Sequence, residues 1–166
     1  MKAIRWNRFR LVENRFDARE VESSKLNAIV AAGYQTVRKM DVKAHRILVI
    51  QDAQEVERVS GALDTAIYSP ALMIIGYDAV YAWRRRDMRY YLDYGVAESD
   101  AMQIKNNVIA EGRGAGLLMT PIEISDSEAV RRVLDLPESF HIAAILEVGY
   151  PLQEKDDRIG TYAVAG

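Results

Sequence analysis

The run Ala71-Leu72-Met73-Ile74-Ile75-Gly76 has no polar side chain at any position. A strand with one face in water alternates apolar and polar residues, so this run predicts a strand covered on both faces. Such a chain must supply helices to lie above and below a sheet, and the stretch that follows does so. Tyr94, Ala97, Ala101, Ile104 and Val108 recur at spacings of three and four, and Met102 and Ile109 widen the stripe. That spacing predicts an amphipathic helix of about six turns with its apolar side packed inward. It is expected to stop at Gly112-Arg113-Gly114-Ala115-Gly116, where glycines permit positive φ and close backbone approach. Leu117-Leu118-Met119 then reads as a short strand.

Other elements declare themselves by their ends. Asp52 with Glu55 three residues on opens a helix whose buried face is Val56, Val59 and Leu63. Ser125-Asp126-Ser127-Glu128 has the form of a capping box, with Ser125 as the cap. Ser23-Ser24 starts a helix that buries Leu26, Ile29 and Val30 and has Gly33 as its expected C-cap. Arg46–Gln51 and His141–Val148 read as strands, the second ended by Gly149-Tyr150-Pro151. Met1–Phe9 is expected to be a short helix, Leu11–Glu20 irregular, Tyr34–Ala44 a basic loop, and Tyr77–Arg89 partly helical. Strands that alternate with helices in this way argue for a helix-covered α/β or α+β sheet.

Composition removes several chemistries. The chain has 166 residues and no cysteine, which excludes disulfides, thiolate metal sites and a cysteine nucleophile and sets a cytoplasmic location as the expectation. Its 22 basic and 24 acidic residues give a net charge of -2, so no overall field favours nucleic acid. No apolar run approaches the ~20 residues of a membrane span. His45 and His141 stand in no metal-ligand spacing, and no serine-nucleophile or P-loop pattern is present. Gly112–Gly116 follows a helix and precedes a strand, the reverse of the order a dinucleotide-binding turn needs. The basic and aromatic cluster of Trp83, Arg84–Arg86, Arg89, Tyr90 and Tyr91 is interrupted by Asp87, which favours a solvated or interface face over base stacking.

In order along the chain, Pro70–Asp78, Trp83, Asp93-Tyr94-Gly95-Val96-Ala97, Gly114-Ala115-Gly116, Val130–Glu138 and Gly149-Tyr150-Pro151 resemble the C-terminal half of the nitroreductase-like FMN oxidoreductases. Phe16-Asp17 and the helix near Ser24–Ala32 fall where members of that family have equivalents. The resemblance implies a single α+β domain over 1–166, with a central, mainly antiparallel sheet flanked by helices. It places the long helix at a homodimer interface and makes 152–166 an arm exchanged between copies. It also implies FMN bound between the two chains, NADH or NADPH as donor, and a small-molecule electron acceptor. Flavin chemistry would account for the missing catalytic side chains, because the isoalloxazine carries the hydride and the protein holds and tunes it.

On this resemblance Arg10, Asn14 and Arg15 lie at the flavin phosphate, joined by Lys155 and Arg158 from the arm. Asp41 and Lys43 face the ribityl chain and ring, and the backbone of Gly114, Ala115 and Gly116 passes close to the flavin. The sequence departs from the family at two places. The family's phosphate grip resembles Arg-Arg-Ser-x-Arg, where this chain has Arg10-Leu11-Val12-Glu13-Asn14. Its second motif resembles Pro-Ser-x-x-Asn-x-Gln-Pro-Trp, where this chain has Val37–His45. One lost charge-assisted phosphate contact costs about 1.5–3 kcal/mol, and Arg38, Lys39 and Lys43 are the candidate replacements. The alternative is a flavin-poor homodimer of the same fold that binds another anionic ligand or a protein partner.

Overall fold

Four strands pair into one sheet in which every neighbour is antiparallel. The computed structural model describes residues 14–35, 44–80 and 93–153. Within them the order is α1 (Ser23–Tyr34), β1 (His45–Ile50), α2 (Ala53–Leu63), β2 (Ala71–Asp78), α3 (Asp93–Gly114), β3 (Leu118–Ile122), α4 (Ser127–Val133) and β4 (Phe140–Gly149). The strand order is β1-β2-β4-β3, which settles the class as α+β. The expected helix at Met1–Phe9 and the cluster around Trp83 lie outside the described residues. So do Arg10, Asp41, Lys43, Lys155 and Arg158.

The apolar run has the two covers it predicted. Met73 and Ile75 of β2 face α1 and α3, packing with Leu26, Ile29, Ala101, Ile104 and Val108. Leu72 and Ile74 face the other way, against Val56, Val59 and Leu63 of α2 and Val130 of α4. Each such side chain contributes about 1.5–3 kcal/mol by leaving water. Pro121, which cannot donate to a ladder, sits in β3 at the sheet edge, where its missing N–H is tolerated.

Three terminus readings change. Gly33 is no cap, because α1 runs on to Tyr34. A Cβ there would lie 2.7 Å from Ile47 Cδ1 and 2.8 Å from Val108 Cγ2, so the glycine lets α1 press onto α3 and β1. The glycines after α3 divide their roles. Gly116 alone has positive φ, at 84°, while Gly112 is still helical and gives way to Met119. In α4 the cap is Asp126, whose side chain accepts from the Ala129 N–H at 3.0 Å. Ser125 instead donates to Leu63 O at 3.2 Å, since the chain at α4 must first be tied to the end of α2. Asp52 behaves as expected, its Oδ1 accepting from Gln54 N at 2.8 Å and Glu55 N at 3.3 Å. Replacing it (Asp52→Ala) should lower the urea-unfolding free energy by about 1 kcal/mol, while Asp52→Asn should lose much less.

Candidate functional site

The described chain begins and ends side by side. Phe16 and Pro151 form an antiparallel bridge, with Asp17 N donating to Tyr150 O at 2.8 Å and Leu152 N donating to Arg15 O at 2.8 Å. Asn14 Oδ1 accepts from Phe16 N at 2.9 Å and turns the strand into place. Gly149 makes the approach possible, because a Cβ there would sit 2.9 Å from the Phe16 ring and 2.8 Å from Pro70.

Tyr150 is the hub of this junction. Its ring lies beneath the Arg19 guanidinium at 4.0 Å and near Lys25 Nζ at 4.8 Å, both cation–π contacts. Lys25 Nζ donates to Tyr150 OH at 2.7 Å and to Ala115 O at 3.3 Å, and Tyr150 OH donates to Glu22. Glu22 also pairs with Arg19 at 3.0 Å and Lys25 at 3.4 Å. The hydrogen bond from Tyr150 is the chief reason the Glu22 carboxyl is held below its ordinary range, and the same phenol holds Lys25 above its own. Arg19 and Lys25 are therefore committed to Glu22. Arg15 is exposed and has no ion pair among the described residues.

Two predicted segments therefore meet. Asn14 and Arg15 lie against Tyr150–Leu152, and the Gly114–Gly116 turn is tied to the same place through Lys25 and Ala115. Beyond residues 18–23 a cleft of about 800 Å³ opens, lined by Ala18, Glu20, Val21, Gln51, Tyr68 and Pro70.

Ala44 adjoins the start of β1, whereas the junction lies at the end of the sheet marked by Ala71 and Gly149. The six residues of β1 separate the two ends by roughly 17 Å at strand rise. Asp41 and Lys43 lie outside the described residues. The Glu22–Lys25–Tyr150 network was missed from sequence. Its only signal was the alternating charge of Arg19, Glu22 and Lys25 at spacings of three, a pattern common on solvated helices.

Among the described residues no carboxylate and histidine group could hold a metal ion, and no helix is long and apolar enough to cross a membrane. No protein-family model matches the chain, and no curated protein matches it by sequence. Solved structures do match by shape. An FMN-dependent nitroreductase of Clostridium difficile superposes with a TM-score of 0.67 at 18% identity, covering 84% of this chain and 82% of its own. A nitroreductase family protein from Clostridium difficile 630 gives 0.68 at 19%, covering 84% and 78%. The ydfN protein of Bacillus subtilis gives 0.72 at 14%, covering 93% and 92%. The chain has the nitroreductase-like fold. What those proteins carry out chemically is a separate matter from their shape.

Proposed function

We propose that the chain is an FMN-dependent oxidoreductase of nitroreductase type, passing reducing equivalents from NADH or NADPH to a small acceptor such as a nitroaromatic or a quinone. The observation that carries this reading is the junction, where Arg15, exposed and without an ion pair among the described residues, shares one location with the Gly114–Gly116 turn; we assign Arg10, Lys155 and Arg158 to the same anion. Cations there suit a flavin phosphate, which pairs well with guanidinium. When bound, the flavin supplies the hydride chemistry, and the chain's part is to hold and orient it. A cysteine-free chain using a nicotinamide donor suits the cytoplasm.

The reading includes a second copy, because the resemblance implies that each flavin is held between two chains. The segment from Leu152 onward would then reach across the partner. Sedimentation should give a dimer at micromolar concentration; a monomer with bound flavin would contradict the shared site.

The test of function is direct. The purified protein should be yellow, release FMN on denaturation, and bleach on adding NADH or NADPH. Arg15→Ala should weaken FMN binding about 10- to 100-fold in a fluorescence titration, as loss of one charge-assisted contact predicts. A colourless protein that takes up no FMN would sink the reading and favour a flavin-poor homodimer that binds another anion or a protein. Leu11 and Val12, and the engagement of Arg19 and Lys25 by Glu22, are what favour that second reading.

A further inference from the structure

The residue at the N-cap of α1 does not cap it. Ser, Thr, Asp and Asn serve best there, their oxygens accepting from the first free N–H groups of the helix. This chain has Glu22 at that position, and its side chain makes no such bond. It turns to other partners instead. Arg19 pairs with Glu22 Oε1 at 3.0 Å, while Lys25 lies 3.4 Å from Oε2 and the Tyr150 phenol donates to that same oxygen.

Both carboxylate oxygens are thus engaged by donors from separate parts of the chain. These differ from an ordinary surface ion pair in one respect, which is that Glu22 is not what holds them. The Arg19 guanidinium lies on the Tyr150 ring, 4.0 Å from its centre. Lys25 Nζ donates to Tyr150 OH at 2.7 Å and to Ala115 O at 3.3 Å. Tyr150 is fixed in turn by the bridge of Phe16 to Pro151 and by Asp17 N on its carbonyl. Without Glu22, two cations and a phenol would still be grouped around the place of its carboxylate. Exposed ion pairs gain little because long side chains must give up their freedom to form them. Here that freedom is already restricted, which favours binding.

The place opens on the cleft. Glu22 and Ser23 line it, along with Val21, Tyr68 and Pro70, and its volume of about 800 Å³ is that of a small-molecule site. We infer that Arg19, Lys25 and Tyr150 form the anion end of a binding site for a small carboxylic acid in this cleft, with Glu22 as a displaceable internal occupant. When the ligand enters, Glu22 turns to the cap it leaves unmade, where a negative charge also suits the positive end of the helix.

The surrounding charges select a carboxylate over a phosphate. Glu20 lines the cleft and has no ion pair among the described residues. Asp17 is close as well, its Oδ1 accepting from Arg19 N at 2.9 Å. A doubly charged phosphate meets these acids and the displaced Glu22, whereas a single carboxylate repeats the contacts Glu22 already makes. Val21, Tyr68 and Pro70 suit an aliphatic or aromatic body behind it. Arg15, on which the flavin reading stands, takes no part, so the two can fail separately.

Phenylacetate, one carboxylate on an apolar body, is the probe, and the Tyr150 ring signals in NMR of the labelled protein report its binding. In the wild type Glu22 competes, so the apparent affinity is the intrinsic one scaled by the fraction of molecules in which Glu22 has turned away. Glu22→Gln should therefore bind phenylacetate about tenfold more tightly. Phenylacetamide, which lacks the charge, should show no gain. Glu22→Asp, a shorter acid and a preferred cap, should show the gain with the fold intact. Adding Lys25→Gln to Glu22→Gln should abolish it, and orthophosphate should bind more weakly than phenylacetate throughout. The inference is overturned if neither Glu22 variant gains affinity, if the gain survives without Lys25 or extends to phenylacetamide, or if orthophosphate is preferred. Failure to take up FMN bears on the earlier reading alone.

Discussion

Gly76→Ala should lower the unfolding free energy by about 3 kcal/mol, the upper end for overfilled interior sites. The register between β2 and β4 shifts between Ile75 and Gly76, so that Ile75 faces Ala144 while Gly76 faces Ile142. The strand turns its backbone into its neighbour there. A Cβ would overlap the His141 carbonyl oxygen and lie 2.7 Å from two atoms of the Phe140 ring. The ring could rotate away, but the carbonyl is part of the ladder and cannot move without breaking it. Urea unfolding followed by circular dichroism measures the loss. An unchanged midpoint would show that the bulge flexes enough to admit a methyl group.

Glu147→Gln should do the opposite, and only at neutral pH and above. Glu147 stands on the face of β4 shared with Ile145, between Leu72 and Thr120 of the flanking strands. Burial among apolar groups pushes its carboxyl from 4.5 up to about 7, partly opposed by a hydrogen bond with the Tyr68 backbone. The sign follows from which state ionises first. Below 4.5 both folded and unfolded chains carry the proton, and the group exerts no penalty. Between 4.5 and 7 the unfolded chain gives up its proton first, so stability falls as pH rises, and above 7 the full penalty is in place. The difference corresponds to roughly 3 kcal/mol. Water still reaches part of the side chain, so about 1–2 kcal/mol is the expected gain for Glu147→Gln at pH 8 after solvent screening. Paired urea titrations at low and high pH check it; an equal gain at both would show that the carboxyl's charge is not the cause.

What was legible in the sequence depended on how locally each feature is determined. The unbroken apolar run of β2 disclosed its two-sided burial because strand periodicity leaves no other place for so many apolar side chains. The Asp52 cap was legible because the capping oxygen reaches N–H groups two and three residues away. Ser125 misled for the reverse reason, since its hydroxyl serves Leu63, distant in sequence, and Asp126 beside it was free to cap. Gly33 read as a helix end, although its role is set by Ile47 and Val108 on other elements. At the candidate site, Asn14, Arg15 and the Gly114–Gly116 turn were found through the resemblance, yet their convergence rests on Tyr150 and Lys25, which no local pattern marks.

The pairing of β2 with β4 also orders events in time. These strands form the middle of the sheet, and Ala71 meets Val148 in register across most of the described chain. During synthesis the most apolar strand leaves the ribosome long before its central partner exists. Until Phe140–Gly149 has emerged, Ala71–Tyr77 can pair only with β1 and must leave its other edge open. Contacts this remote in sequence slow folding and lengthen the exposure of apolar edges. The bridge of Phe16 to Pro151 uses a residue beyond β4, so the junction too must wait until the last strand has emerged.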